Sequence, residues 1–143
     1  MGTWRKYIAN HDHEALFTWG GCFHFAKVLH DDFDLPLRAL RRDDGILKHV
    51  WGSFDGKSVD IHGLNEESYL EDMLRGGDVP AYIVDVNISD CDRELSTRDP
   101  QLTADVLNLA RMVLRTHRRF GFLRDREKHP EPAHAGGGDT RAR

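Results

Sequence analysis

A cysteine in the segment Trp-Gly-Gly-Cys-Phe-His-Phe-Ala (19–26) has the surroundings of a nucleophile. Four residues have the i, i+3, i+4, i+7 spacing that places side chains on one face of a helix: Cys22, Phe25, Ala26 and Leu29. The segment therefore predicts a helix that begins at Cys22, where the positive helix end favours a thiolate. The backbone N–H of Cys22 could donate to an oxyanion, and Gly20 and Gly21 leave room for a substrate. On this segment alone, a buried structural cysteine is the commoner interpretation.

A predicted β-hairpin brings a histidine and a carboxylate together. Its turn is Asp55-Gly56, a strong signal for a two-residue loop. That loop makes His49 and Asp60 diagonal neighbours on one face of the hairpin. A carboxylate beside an imidazole fixes its tautomer and stabilises its charged form, which a base paired with a thiol requires. His62 lies opposite His49 and is the rival neighbour, in a position to line the site or bind substrate.

The order Cys22, His49, Asp60 resembles that of papain-like and transglutaminase-like cysteine hydrolases. His49-Val50-Trp51 on one strand, followed by Asp60 on the next, is especially similar to the transglutaminase core. The Gly-Gly-Cys-x-x-x-Ala segment is also similar to uncharacterised bacterial and phage members of this superfamily. The resemblance covers residues 16–64. It implies a central helix that carries Cys22, packed on an antiparallel sheet that carries His49 and Asp60.

The resemblance also implies acyl transfer through a thioester at an amide, ester or isopeptide carbonyl, ending in hydrolysis, deamidation or transamidation. Cys22 would be the nucleophile, His49 the general base and then acid, and Asp60 the orienting carboxylate. Papain-like enzymes place a glutamine upstream of the nucleophile, where this chain has Leu16. The indole of Trp19 and the backbone N–H of Cys22 are interpreted as oxyanion donors instead. The predicted oxyanion and substrate-binding residues are Trp19, Gly20, Gly21, Trp51 and His62.

Other function classes have less support in the sequence. A non-catalytic interaction module, an adaptor or inhibitor on the same fold, is the alternative hypothesis. The nine histidines form no His-Glu-x-x-His or paired Cys-x-x-Cys pattern, so we expect no metal and no other cofactor. No stacking aromatic ladder accompanies the basic residues, which argues against nucleic acid. We expect a protein or peptide substrate, and the oligomeric state is not readable.

Composition and charge point to a globular domain. The chain has 143 residues and a net charge of −4. Residues 1–110 carry eleven Lys and Arg against twenty Asp and Glu, whereas residues 111–143 carry nine against four. The apolar runs are too short to cross a membrane, and no apolar signal segment follows the N-terminus. Two cysteines make no disulfide framework, so we expect a cytoplasmic location.

Hydrophobic periodicity predicts one α+β domain over residues 1–125 and a disordered tail over 126–143. N-terminal helices would pack on a small antiparallel sheet, with an amphipathic helix last. The predicted strands span residues 35–40, 46–53, 57–61 and 80–88. The predicted helices start at Cys22, after Asn65, and at Pro100 after Asp99. We place His24 on the surface or rim of the site, and interpret Cys91 as structural.

Overall fold

The structure of the protein, a computed structural model, describes residues 13–74 and 80–126. The side chains of Trp19, Leu74, Asp125 and Arg126 are not among the described atoms. The predicted helix before residue 13 and the predicted tail beyond residue 126 lie outside the described residues.

The described residues form helices around one antiparallel sheet, which is the α+β class that the sequence predicts. The helices are α1 (His13–Trp19), α2 (Cys22–Phe33), α3 (Glu67–Leu74), α4 (Ile88–Leu95) and α5 (Pro100–Thr116), followed by a 3-10 helix (Arg118–Arg126). The strands are β1 (Leu37–Arg42), β2 (Leu47–Phe54), β3 (Lys57–Asp60), β4 (Gly63–Asn65) and β5 (Ala81–Val86).

The sheet has the strand order β4-β3-β2-β1-β5, and every neighbouring pair is antiparallel. The β2–β3 hairpin has the predicted register, because Phe54 pairs with Lys57 across the turn. Asp55 and Gly56 have φ values of 51° and 80°, as a type I′ turn requires. The hairpin prediction is therefore confirmed.

Helix α2 is the centre of the domain, since it contacts β2, α4 and α5. The two sheet faces are covered by different helices. Val50 belongs to the apolar cluster around Cys22 of α2, whereas the next residue, Trp51, packs with Leu70 of α3. Gly52 allows the close approach of α2 and the following loop, because a Cβ there would lie 3.0 Å from the side chain of Leu35. The sheet is thus enclosed between helices at the strand that carries His49.

Local capping rules explain where the later helices begin. Asp99 caps α5 by accepting a hydrogen bond from the Leu102 backbone N–H at 2.8 Å, with Pro100 in the first helical position, as predicted. Helix α3 starts at Glu67 because Asn65, the predicted cap, is the last residue of β4.

Helix α4 is the longest α-helix or strand that the sequence analysis missed; strand β4 and the 3-10 helix were not predicted either. The predicted strand 80–88 ends at Val86, because the Asn87 backbone N–H donates to Asp90 and the chain turns into a helix. The sequence analysis extended the apolar strand through Ile88 and gave no helix to the acidic residues around Cys91, so it did not predict this amphipathic helix. Its buried residues, Cys91 and Leu95, pack in the same cluster as Cys22.

His24 is wrongly predicted at the surface, since its side chain is 0% exposed. The periodicity of α2 was interpreted as one buried face. Other helices and the sheet cover most sides of α2, so residues outside that face, such as His24, are buried as well. Burial, and then the charge of Arg98, lower the pKa of His24 to about 3. His24 is therefore neutral and belongs to the core beneath the site.

Three arginines of α5 and the 3-10 helix bind within the domain. Arg111 and Arg115 form ion pairs with Asp32 of α2, at 3.1 and 3.8 Å. Arg119 donates to the carbonyl oxygen of Ile61 at 2.8 Å. Within residues 13–74 and 80–126, no helix is long and apolar enough to cross a membrane.

Replacing Gly21 tests the close packing of α1 on the start of α2. A Cβ at Gly21 would lie 3.0 Å from both the backbone oxygen of Leu16 and the ring of Phe17. We expect Gly21→Ala to lower the free energy of unfolding by about 1–3 kcal/mol, measured by urea denaturation. Gly121→Ala is the matched control, because its Cβ would meet only Arg124 at 3.6 Å. Equal stability of the two variants would contradict this packing.

Candidate active site

The side chains of His49 and Asp60 meet in the interior of the protein. His49 Nε2 lies 2.8 Å from Asp60 Oδ2, and the two residues are 1% and 2% exposed. The observed pairs run from Phe54–Lys57 to Gly52–Val59, and the same register continued by one residue puts Asp60 level with Trp51 and diagonal to His49. The predicted neighbours are therefore in hydrogen-bond contact.

His62 is a second partner of the same carboxylate. Its Nδ1 lies 3.0 Å from Asp60 Oδ2, and its backbone N–H donates to Asp60 Oδ1 at 2.9 Å. On its other side, His62 Nε2 lies 3.3 Å from the hydroxyl of Thr18. Asp60 therefore holds both histidines at once, and His62 and His49 are not rivals for it.

Cys22 is near enough to His49 to raise the pKa of the imidazole by hydrogen bonding and charge. Nε2 of His49 is used by Asp60, so Nδ1 is the ring nitrogen left over. This nitrogen is buried and has no hydrogen bond of standard geometry within the described residues. Such a loose contact is usual for a catalytic pair before substrate binds. Next to His49, the pairing of β1 with β2 is interrupted by a bulge between Leu40 and Arg41, which bends the strand locally.

Charges around His49 stabilise its protonated form. Burial alone lowers the pKa of His49, but hydrogen bonding to Asp60 and to Cys22, together with their negative charges, raises it to about 10. For Asp60, burial raises the pKa, while the hydrogen bonds and charges of His49 and His62 lower it to about 2. The two pKa shifts have the same physical cause, because each favours the charged form of its own group: the imidazolium of His49 and the carboxylate of Asp60.

The second cysteine is in a different environment. Cys91 is fully buried, and burial followed by the negative charge of Cys22 raises the pKa of its thiol to about 12. Such a thiol stays protonated and unreactive at neutral pH. The interpretation of Cys91 as a structural residue agrees with this position.

A cavity of about 690 Å³ opens beside Cys22. Its floor includes Gly20, Cys22 and Phe23 at the start of α2. One wall is the β1–β2 turn, from Arg41 to Lys48, and the opposite wall is formed by α4 and the residues after it. Cys22 itself is only 3% exposed, and it is one of the residues that line this cavity.

Arg98 fixes the backbone just before Cys22. Its guanidinium donates to the carbonyl oxygen of Gly20 at 2.7 Å, pairs with Glu94 at 2.9 Å, and lies 5.4 Å from the centre of the Phe23 ring. Arg98 was not predicted, since nothing in the local sequence links it to residues 78 positions earlier. Its place after a helix that packs against α2 is visible only in the fold.

The first turn of α2 offers backbone donors near the thiol. Gly21 makes no side-chain cap, and the first N–H groups of a helix have no partner within it. The N–H of Cys22 is therefore suited to an oxyanion, as predicted. Gln101 is on α5 and binds Asp105 at 3.0 Å, so it does not replace the upstream glutamine of papain-like enzymes.

The remaining predicted residues have other surroundings. Trp51 is fully buried, 6.1 Å from the His49 ring, and its indole N–H donates to Glu67 at 3.1 Å. It packs beside His49 in the core and is not among the residues that line the cavity beside Cys22, so its predicted role in substrate binding stays a prediction. Gly21 packs against α1, whereas Gly20 lines the cavity. The side chain of Trp19 lies outside the described atoms.

No group of three or more His, Cys, Asp or Glu side chains in residues 13–74 and 80–126 is arranged to hold a metal ion. The cluster of Cys22, His49, Asp60 and His62 is instead joined by hydrogen bonds and charge within itself. The chemistry open to it is proton transfer and nucleophilic attack by sulfur.

Asp60→Asn tests the buried charge pair through its pH dependence. The lowered pKa of Asp60 contributes stability that is present above 3.8 and lost as pH falls toward 2. The raised pKa of His49 contributes stability that is present below 6.5 and lost as pH rises through about 10. We therefore expect the variant to lose about 3–5 kcal/mol of unfolding free energy between these limits, and less outside them.

The measurement is urea unfolding from pH 3 to pH 10, with the exposed Asp105→Asn as the matched control. A difference between Asp60→Asn and the unchanged protein that stays constant over this range would contradict the proposed charge pair.

We compared the chain with known protein families, with curated proteins and with solved structures, and none of them matches it significantly.

Proposed function

We propose that this protein is a cysteine-dependent hydrolase or acyl transferase that acts on amide, ester or isopeptide bonds. The observation that carries the proposal is the buried His49–Asp60 hydrogen bond of 2.8 Å, with Cys22 near enough to the imidazole to raise its pKa. A nucleophile, its base and an orienting carboxylate are the three groups that this chemistry requires.

In the first step, the Cys22 thiolate attacks the carbonyl carbon, and a sulfur–carbon bond forms. The backbone N–H of Cys22 stabilises the oxyanion. His49 gives its proton to the leaving amine or alcohol, whose bond to the carbonyl carbon breaks, and a thioester remains. Water, or an amine in transamidation, then attacks the thioester carbonyl while His49 accepts its proton. The sulfur–carbon bond breaks, the acid or new amide leaves, and the Cys22 thiolate and protonated His49 are restored. Asp60 holds the His49 ring in place throughout.

Resemblance to the papain-like and transglutaminase-like superfamily supports the same proposal. A helix that begins with the cysteine packs on an antiparallel sheet, and the histidine and aspartate lie on adjacent strands. We assign the fold to this superfamily as part of the proposal. A bacterial or phage origin is implied by the same resemblance alone.

A non-catalytic interaction module is the second candidate. The observation in its favour is the small exposed fraction of Cys22, 3%, in a site where Nδ1 of His49 forms no regular hydrogen bond. In that case the polar cluster would serve stability, and the thiol would show no dependence on His49.

Alkylation by iodoacetamide at pH 6 separates the two candidates. We expect Cys22 to react faster than a free thiol, and His49→Ala to slow it on the order of tenfold, because the imidazolium that favours the thiolate is lost. Cys91 should stay unmodified in the folded protein, and mass spectrometry assigns the labelled residue. His30→Ala, at the far end of α2, is the matched control. Labelling of Cys22 that ignores His49 would favour the interaction module.

Acyl transfer itself is measured with p-nitrophenyl acetate. The thiolate of Cys22 should release one equivalent of nitrophenolate in a burst, and acetyl-Cys22 should be captured by mass spectrometry. Cys22→Ala should abolish the burst, and His49→Gln should slow it by about 10²–10⁴-fold. Circular dichroism of each variant shows whether it remains folded. A burst of equal size in folded Cys22→Ala would refute the assignment of the nucleophile.

A further inference from the structure

The cavity beside Cys22 has an uneven distribution of charge. Four cationic and three carboxylate side chains line it: Arg41, Lys48, Arg93, Arg98, Asp85, Asp90 and Glu94. The surrounding chain is acidic, because residues 1–110 contain eleven Lys and Arg against twenty Asp and Glu. A cationic excess at this place is therefore a local feature of the cavity.

Each carboxylate of the lining is already in an ion pair. Asp90 binds Arg93 at 3.1 Å, and Glu94 binds Arg98 at 2.9 Å. Asp85 binds Arg38, which is not itself part of the lining. The negative charge in the cavity is thus compensated before any ligand binds.

Arg41 differs from these residues. Its side chain is exposed, and it has no ion pair or side-chain hydrogen bond within residues 13–74 and 80–126. It lies at the bulge where the pairing of β1 with β2 shifts, on the wall opposite α4. A guanidinium with five N–H donors can bind a carboxylate in two-point fashion.

We propose that the cavity selects acyl donors with a carboxylate close to the scissile carbonyl, and that Arg41 is the residue that recognises it. The substrate class is an acidic peptide segment, because a cavity of about 690 Å³ has the volume of a site for a small ligand or a few residues. This inference rests on the proposed function, since it places the reacting carbonyl at Cys22.

The test uses electrophilic peptides that alkylate Cys22. Matched acetyl-Xaa-glycine chloromethyl ketones carry Glu, Gln or Lys as Xaa. The thiolate displaces chloride, so a sulfur–carbon bond forms as the carbon–chlorine bond breaks. Chloroacetyl-glycine and its amide form a second pair, which distinguishes a terminal carboxylate from an acidic side chain. Chloroacetamide reports the intrinsic reactivity of the thiol.

We expect the Glu peptide, the chloroacetyl-glycine acid, or both, to react about threefold to fivefold faster than the neutral match, as one partly exposed ion pair allows. Arg41→Gln should remove this preference without changing the chloroacetamide rate. Arg41→Glu should reverse it in favour of Lys. Arg118→Gln, an exposed arginine that does not line the cavity, is the matched control and should keep the preference. Added salt should weaken the preference.

Equal rates for charged and neutral probes in the unchanged protein would overturn the inference, as would a preference that survives Arg41→Gln. Stronger protection of Cys22 by an oligothymidylate than by an acidic peptide would also overturn it, because the occupant would then be a nucleic acid. In all these cases the chloroacetamide rate still depends on His49. If that dependence is absent, the proposed function fails, and the substrate class fails with it.

Discussion

The buried hydrogen bond between His49 and Asp60 imposes the strongest demand on this structure. A charged pair in the interior is tolerated only if its remaining hydrogen-bonding positions are satisfied. His62 meets this demand for the Asp60 carboxylate, with a ring nitrogen and a backbone N–H directed at it. The hairpin turn sets the register that makes these contacts possible, and the Trp51 ring covers the imidazole from the core. The β2–β3 hairpin and Trp51 therefore hold the His49–Asp60 pair in place.

The same demand explains the tight packing around α2. The helix has to bring its first residue to the imidazole while its other faces are covered. Glycines lie at two of the points of closest approach, Gly21 against α1 and Gly52 against the loop after α2. A side chain at either position would push α2 away from its neighbours, and the sulfur would move with it. Packing and chemistry are therefore coupled through the position of a single helix.

Local signals made part of this architecture predictable. The Asp55-Gly56 turn predicts the hairpin and the pairing of His49 with Asp60, because a two-residue loop determines the register. Contacts between distant segments were not predictable in this way. His24 lies on a helix covered on most sides, and periodicity does not report how many faces are covered. Trp51 shares a strand face with His49, but alternation does not tell whether that face meets solvent or another helix. Arg98 donates a hydrogen bond to Gly20, which lies 78 positions earlier in the sequence.

Helix α4 and Arg98 follow all three proposed catalytic residues along the chain, although they form a wall of the cavity and hold the turn before Cys22. During synthesis, the thiol, imidazole and carboxylate therefore leave the ribosome before the cavity can exist. A nascent chain that ends within β5 already contains Cys22, His49 and Asp60, but it lacks the cavity wall that α4 and Arg98 form. The order of elements therefore delays the completed cavity until α4 and Arg98 have been synthesised and have packed against α2.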